Sequence, residues 1–132
     1  MRVFADTSGL FATLVGNDVM HEKAGRIFRA MIEREDEMHT TSHVVVETVS
    51  LLHARVGLPA VAGFRDTIEP LLEVTWVGDD LHERAMRRLL EAGSSRVSLV
   101  DHSSFEAMSD LGLEHAFGFD IHFEEAGFTM ID

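Results

Sequence analysis

The sequence predicts an α/β protein in which a mainly parallel β-sheet is covered by helices on both faces. Short apolar runs of strand length alternate along the chain with longer segments whose apolar residues recur at helical spacing. Hydrophobic residues make up 45% and charged residues 26% of the 132 residues, a composition typical of a packed globular domain. We therefore expect residues 1–132 to form a single domain around one core.

The first half of the chain contains two predicted strands and four predicted helices. Apolar runs predict strands at residues 2–5 and 38–41, and Thr7-Ser8-Gly9 predicts a tight turn after the first strand. Ser42 is the predicted N-cap of the third helix, and Gly57 ends it. The helical segments all have apolar residues three or four positions apart: residues 10–15, 21–35, 44–56 and 60–72.

The second half continues the alternation. Residues 79–92 and 103–111 have the apolar spacing of helices, and residues 121–126 predict a short helical turn. The apolar runs that predict strands are residues 74–77, 97–100, 116–119 and 128–131. Because strands and helices alternate to the end, parallel pairing through helical crossovers is favoured.

Acidic residues stand at equivalent points of this pattern. Asp6, Asp101 and Asp120 each follow a predicted strand, and Glu47 lies near the start of a helix that follows another. Any one of them alone is equally well explained as a helix N-cap or as an acid that interacts with the helix dipole. The carboxyl ends of parallel strands meet at one edge of a sheet, however, so the sequence predicts that all four lie close together.

Four clustered carboxylates repel one another unless a cation is present. Oxygen-rich sites suit Mg²⁺ or Mn²⁺, and both ions leave positions for phosphate oxygens. Two such ions are able to hydrolyse a phosphodiester, one by generating the attacking hydroxide and the other by stabilising the leaving oxygen. The cluster therefore predicts metal-dependent phosphodiester hydrolysis.

Composition excludes several other chemistries. The absence of cysteine rules out disulfides, thiolate zinc sites, Fe–S clusters and a cysteine nucleophile. No apolar run approaches the roughly 20 residues that span a bilayer, and we expect a cytoplasmic protein without membrane contact. The formal net charge of -12 gives no bulk attraction to a nucleic-acid backbone.

Other acid-bearing families fail at specific positions. A phospho-acceptor receiver domain needs an acidic pair after the first strand, where Asp6 stands alone, and a haloacid-dehalogenase phosphatase needs a second aspartate where this chain has Ser8. Neither a GxxxxGK nor a GxGxxG motif is present. His39 and His43 have the spacing of helical zinc sites, but they straddle a predicted helix start and lack an HExxH glutamate, which disfavours a histidine metal site.

Four segments together resemble the PIN-domain nucleases, and most closely the VapC-like toxin ribonucleases. They cover essentially the whole chain, in the order of the family, and the last two together are the most specific. The segments are Asp6-Thr7-Ser8, Val44-Val45-Val46-Glu47, Ser98-Leu99-Val100-Asp101-His102-Ser103-Ser104-Phe105 and the run from Ala116 to Phe128.

The resemblance implies a three-layer α/β/α sandwich, PIN-like, and a Mg²⁺- or Mn²⁺-dependent endoribonuclease that cuts single-stranded or loop RNA. It also implies a cognate antitoxin that blocks the acidic pocket, with an arginine as the candidate group in place of metal, and a homodimer as a candidate assembly. Carried over by position, the metal ligands and catalytic acids are Asp6, Glu47, Asp101 and Asp120. Auxiliary roles fall to Ser8, which would orient Asp6 or a water, to Ser104, which would support the site, and to Glu124, which would add a carboxylate.

One departure concerns the charge. Without the four site acids the net charge is still -12 + 4 = -8, so we expect weak affinity for RNA alone. The candidates for phosphate contact are Arg2, Arg55, Arg65, Arg84, Arg87, Arg88 and Arg96. Arg84, Arg87 and Arg88 are the one tight cluster, and a solvated helix face explains them better.

A non-catalytic module is the alternative. A PIN-like domain with an acidic surface suits a binding or scaffold role with a basic protein partner. A scaffold, however, has no physical reason to keep four carboxylates that repel one another. The nuclease is therefore the favoured function.

Overall fold

A five-stranded, wholly parallel sheet forms the centre of the computed structural model, which describes residues 1–132. The strand order is β3-β2-β1-β4-β5, and every neighbouring pair is parallel. Because β1 lies in the middle, its carboxyl end is flanked by β2 and β4. The strands are β1 (Arg2–Ala5), β2 (Glu37–Thr41), β3 (Leu72–Thr75), β4 (His115–Phe117) and β5 (Thr129–Met130).

Seven helices connect the strands. They are α1 (Thr7–Leu14), α2 (His21–Glu33), α3 (Ser42–Arg55), α4 (Leu58–Gly63), α5 (Asp79–Ala92), α6 (Leu99–Leu111) and α7 (His122–Glu125). Right-handed crossovers place α1–α4 on one face of the sheet and α5–α7 on the other, since the chain moves outward past β2 and β3 and then returns to β4 and β5. The predicted α/β/α sandwich with a parallel sheet is confirmed. None of the helices is long and apolar enough to cross a membrane.

Aromatic side chains pack against both faces of the sheet. On one face Phe28 of α2 lies 6.2 Å from Phe117 of β4, measured between ring centroids. On the other, Phe123 of α7 lies 6.2 Å from Phe4 of β1 and 4.9 Å from Phe105 of α6. Burial of each such ring contributes about 1.5–3 kcal/mol, so these contacts hold α2, α6 and α7 against the sheet.

Polar side chains cap the helices that begin at the carboxyl edge of the sheet. Asp6 caps α1, with Oδ2 accepting from the Ser8 amide at 3.5 Å, and Thr41 caps α3 through the Val44 amide at 3.2 Å. Ser98 and Asp101 form a reciprocal capping box at the start of α6. The backbone amides at these helix starts therefore point toward one edge of the sheet.

The predicted strand at residues 97–100 is wrong. Leu99 and Val100 already belong to α6, because Ser98 accepts from the Asp101 amide and Asp101 accepts from the Ser98 amide. The serine-to-aspartate spacing is that of a capping box, and it prevails over the apolar run. Asp101 thus lies in the first turn of a helix and does not end a strand.

Other boundaries also differ from the predictions. The predicted helix 60–72 stops at Gly63 and continues as a π-helical turn over Phe64–Ile68 and a 3-10 turn over Glu69–Leu71, where Pro70 cannot donate a backbone hydrogen bond. As a result β3 starts at Leu72 and ends at Thr75, two residues before the predicted end. Thr41, and not Ser42, is the N-cap of α3.

Two of the arginines proposed for phosphate contact hold α5 against α6. Arg84 binds Asp110 through two hydrogen bonds of 3.0 and 2.6 Å and also binds Asp80 at 3.0 Å. Arg88 donates to Glu106 at 3.1 Å. Because their guanidinium groups are already paired with carboxylates, we assign both arginines to helix packing. Both side chains stay partly exposed, so the predicted solvated helix face is also paired with carboxylates at these two positions.

Candidate active site

The four predicted acids line one pocket at the carboxyl edge of the sheet, with a volume of about 460 Å³. Asp6 follows β1, Glu47 lies in the second turn of α3, Asp101 in the first turn of α6, and Asp120 in the loop between β4 and α7. The pocket therefore gathers carboxylates from four separate segments of the chain. Their roles as ligands stay a prediction.

Asp6 is the most buried of these acids, with 3% of its surface exposed. Burial is the main cause that raises its pKa to about 7, and the negative charge of Asp101 raises it further. Hydrogen bonds from Ser8 and from the amides of Thr7 and Ser8 act in the opposite direction. Without a bound cation, the Asp6 carboxyl group is therefore partly protonated at neutral pH.

Ser8 joins the end of β1 to the segment that follows β4. Its hydroxyl donates to Asp6 Oδ2 at 2.9 Å and accepts from the Phe119 amide at 2.9 Å. A Cβ at Gly118 would lie 2.8 Å from Ser8 Oγ and 3.1 Å from Asp6 Cβ, so only glycine permits this close approach. Ser8 is placed to orient Asp6, as the sequence predicted.

Replacement of Ser8 by Ala should lower the free energy of unfolding by about 1–3 kcal/mol, because the Phe119 amide loses its partner. Denaturant unfolding measures the change. Ser50→Ala, at an exposed position of α3, is the matched control and should stay within about 0.5 kcal/mol of the parent. Equal stabilities for the two variants would contradict the structural role of the Ser8 hydroxyl.

Asp101 feels the charges of two other pocket acids. Its pKa is raised, first by burial and then by repulsion from Asp120 and from Glu47. Among the four acids only Asp120 has an ion-pair partner, His122, with Nδ1 at 2.9 Å from Oδ1. The negative charge of the pocket is therefore largely uncompensated by the protein.

The donor set fits a divalent cation. Ligand atoms of Asp101, Asp120 and His122 all lie within 4.8 Å of one another, and the Glu47 and Asp6 carboxylates line the same pocket. Carboxylate oxygens are the ligands that Mg²⁺ and Mn²⁺ prefer, with water in the remaining positions. His122, which was not among the predicted site residues, supplies the nitrogen donor of this group.

Two of the predicted auxiliary residues lie outside the pocket. Ser104 is fully buried in α6 and donates to the Val100 carbonyl at 3.0 Å, a bond within its own helix. Glu124 is exposed on α7 and lines a neighbouring depression together with Asp120 and Lys23. Among Ser8, Ser104 and Glu124, the structure brings Ser8 alone into the pocket with the four acids.

The pocket also contains residues that sequence reasoning missed. Asp18 adds a fifth carboxylate from the loop between α1 and α2. Ser98 lies beside Asp101, and Phe119, the last residue of the predicted strand 116–119, is part of the wall. The capping-box spacing signals Ser98, whereas nothing in the local sequence signals Asp18. Arg55, a predicted phosphate contact, stands at the rim with its guanidinium 5.7 Å from the Phe11 ring centroid.

A basic strip on α2, which we define as Lys23, Arg26 and Arg29, was also missed. Lys23 lines the depression that contains Asp120, and all three residues line the next depression along α2. Arg26 and Arg29 are exposed and make no ion pair, while Lys23 contacts Asp132 at 3.1 Å. Their spacing of three residues places them along one side of the helix, which leads away from the pocket.

Comparison with known protein families identifies the family to which this fold and pocket belong. The family model described as PIN domain matches residues 3–128. The chain belongs to the PIN domain family. The resemblance drawn from the four sequence segments, to PIN-domain nucleases and VapC-like ribonucleases, is thereby confirmed.

Relatives of this PIN domain protein include a VapC endonuclease. The chain is 33% identical over 132 residues to the 23S rRNA-specific endonuclease VapC20 of Mycobacterium tuberculosis, covering 98% of this chain and 97% of the relative. The crystal structure of VapC20, described as a Sarcin-Ricin loop cleaving toxin, superposes with a TM-score of 0.86 and 30% identity over 96% of each chain.

A more distant structural neighbour shares the fold. VapBC2 from Rickettsia felis, solved bound to a DNA fragment from its promoter, has a TM-score of 0.73 at 10% identity, covering 99% of this chain and 98% of the neighbour. At that identity the likeness concerns the fold alone. The fold is thus shared although about nine in ten residues differ.

Proposed function

We propose that this PIN domain protein is a metal-dependent endoribonuclease that hydrolyses single-stranded or loop RNA as the toxin of a toxin–antitoxin pair. Asp6, Glu47, Asp101 and Asp120 are the proposed metal ligands and catalytic acids, and Mg²⁺ or Mn²⁺ the proposed ion. One observation favours this function most: four carboxylates from four segments of the chain line one pocket. The pKa of Asp6, raised to about 7 there, agrees with a site built for a cation. The similarity to VapC20 supports RNA as the substrate.

The residues of the pocket have different roles in the proposed reaction. Ser8 and the α1 amides fix one oxygen of Asp6, and the capping box fixes Asp101, so both carboxylates keep their positions without an ion. A bound divalent ion supplies Lewis-acid activation of water and neutralises charge on the phosphodiester. Phe119 walls the pocket, and Arg55 at the rim offers a positive charge to the RNA backbone.

The functional test is cleavage of a pool of structured and unstructured RNAs by the purified protein. We expect cutting with Mn²⁺ or Mg²⁺ and none with a chelator. If the ions bind by calorimetry but no RNA in the pool is cut, the substrate is narrower than the pool, and a ribosomal RNA loop is the next substrate to test. If the ions do not bind, the scaffold alternative replaces the nuclease.

The proposed partner is an antitoxin that covers the pocket. An arginine inserted among the four acids would neutralise them through bidentate hydrogen bonds, as a cation does. The protein co-expressed with such a partner should bind less Mn²⁺ than the free protein. Unchanged Mn²⁺ binding in the complex would mean that the partner docks elsewhere on the surface.

RNA binding by so acidic a protein needs a local basic surface, and we propose the basic strip on α2 for it. Arg26→Gln with Arg29→Gln should weaken binding of single-stranded RNA and make it less sensitive to salt. Loss of two phosphate contacts changes the slope of log K against log[salt] by about 1.4. Fluorescence anisotropy in the Asp101→Asn background measures binding without cleavage.

The matched control is Arg65→Gln with Arg87→Gln, which removes the same charge from exposed positions. Both were candidates for phosphate contact from the sequence, but neither lines the acidic pocket or belongs to the basic strip. Its salt slope should equal that of the parent. If both pairs change the slope equally, net charge governs binding and the strip has no special role.

A further inference from the structure

A second group of metal-ligand side chains lies on the sheet, apart from the acidic pocket. Glu37 and His39 are two residues apart in β2 and therefore point to the same face. Glu73 of β3 is directly opposite His39 in the parallel register, which puts it on that face too. The ligand atoms of Glu37, His39 and Glu73 all lie within 4.8 Å of one another.

The imidazole of His39 has an unsatisfied nitrogen. His39 is 6% exposed, and its Nε2 is buried without a hydrogen-bond partner. The nearest carboxylate oxygen, Glu37 Oε1, is 3.4 Å away without hydrogen-bond alignment. A buried polar atom without a partner costs about 1–3 kcal/mol, and such atoms are rare in folded proteins. Carboxylate oxygens of Glu37 and Glu73 both lie within 4.8 Å of a ring nitrogen of His39, so a cation shared by the three residues would satisfy the imidazole.

We propose that Glu37, His39 and Glu73 bind a divalent transition-metal ion, for which Zn²⁺ is the best fit. One imidazole nitrogen with two carboxylate oxygens is a ligand set that Zn²⁺ accepts at about 2.0–2.2 Å, with water in the fourth position. Ligand atoms at those bond lengths lie about 3.4 Å apart in a tetrahedron. The ligand atoms are at most 4.8 Å apart, and Glu37 Oε1 is already 3.4 Å from His39 Nε2. Because Glu37 and Glu73 are exposed, rotation of their side chains brings the remaining oxygen to that spacing.

The chemistry separates this site from the acidic pocket. Mg²⁺ prefers oxygen ligands in an octahedron and gains little from an imidazole, so it should not compete here. Position separates the two sites as well. His39 pairs with Phe4, two residues before Asp6, and Glu37 lies a further two residues back. The ion site is therefore about 7–13 Å toward the amino end of the sheet.

Bound Zn²⁺ would tie an edge strand to its neighbour. β3 is an edge strand of four residues that pairs with β2 alone. Short edge strands are held by few hydrogen bonds and open first. An ion shared by His39 and Glu73 would fix their register, and we infer a structural role that is independent of RNA cleavage.

The test uses full-length protein in which the acidic pocket is disabled by Asp101→Asn with Asp120→Asn. Isothermal calorimetry should detect one Zn²⁺ per chain, and Zn²⁺ should raise the Tm where Mg²⁺ does not. Adding Glu37→Gln with Glu73→Gln should weaken Zn²⁺ binding about tenfold or more and abolish the rise in Tm. Glu33→Gln with Glu83→Gln, two exposed acids without ion pairs, is the matched control and should leave both unchanged.

Histidine NMR provides a second readout that needs no further substitution. Zn²⁺ should shift the Nε2 signal of His39 in the pocket-disabled protein. The proposal is overturned if that protein binds no Zn²⁺, if binding survives loss of both glutamates, or if the shift falls on another histidine. None of these outcomes depends on nuclease activity, so failure here leaves the proposed function untouched.

Discussion

Replacement of Asp101 by Asn should reduce RNA cleavage about 1,000-fold or more and leave the fold intact. Asn keeps the side-chain oxygen that accepts from the Ser98 amide, so the capping box at the start of α6 survives. What disappears is a negative charge at the proposed ion site, where metal-ion stabilisation of a transition state is worth several kcal/mol. Each 1.36 kcal/mol corresponds to a factor of ten in rate.

The measurement is the rate of cleavage of one RNA under saturating Mn²⁺, with circular dichroism as the check of folding. Asp66→Asn, an exposed aspartate on the π-helical turn, is the matched control and should cleave at the parental rate. A folded Asp101→Asn protein that cuts as fast as the Asp66 variant would refute the assignment of Asp101 to the site.

Without divalent ions, Asp6→Asn should stabilise the protein by about 2–4 kcal/mol at pH 8. The folded protein holds the Asp6 proton up to about pH 7, whereas the unfolded chain loses it near 3.8. Between these values the unfolded state binds fewer protons, so the contribution of Asp6 to stability falls as the pH rises. Asn removes the buried charge and its repulsion of Asp101, and the benefit disappears below about pH 4.

The difference between parent and Asp6→Asn, measured by urea unfolding in EDTA from pH 4 to 8, isolates this effect. His43 and His102, whose pKa values are lowered by burial, give the opposite pH dependence, but they are present in both proteins. Addition of Mn²⁺ should stabilise the parent and close most of the gap at pH 8. A gap that does not change with pH would show that Asp6 ionises in the folded protein as it does in the unfolded chain.

The fold class was predictable because its main signal is local. The apolar run at residues 2–5 and the spacing within α2 and α5 depend on neighbours in the chain, and the structure has these elements within two residues of the predicted bounds. The run at 97–100 has the same apolar signal, yet Ser98 and Asp101 make it a helix start. The two hydrogen bonds between Ser98 and Asp101 therefore decide the local structure there, and the apolar pattern does not.

The geometry of the pocket was predictable for a different reason. Sheet topology brings the ends of β1 and β4 together, so Asp6 and Asp120 had to approach each other once the strands were parallel. Asp18 and the basic strip reach their places through the loop after α1 and the docking of α2, which no local pattern encodes. The sequence disfavoured a histidine metal site because His39 and His43 straddle a helix start, and it gave no sign of Glu73, which became a neighbour of His39 only through the register of β3.

Three of the pocket acids also hold backbone amides at the starts of helices. Asp6 caps α1, Asp101 completes a capping box, and Asp120 accepts from the His122 amide at 2.9 Å. Exchange of any of them for an apolar residue would remove a cap along with the charge, whereas Asn caps as well as Asp does. The codons of Asp and Asn differ by one base. If the activity of this protein harms a cell, mutants that survive have lost that activity. Among the survivors that still accumulate the folded protein, we therefore expect Asn at these positions.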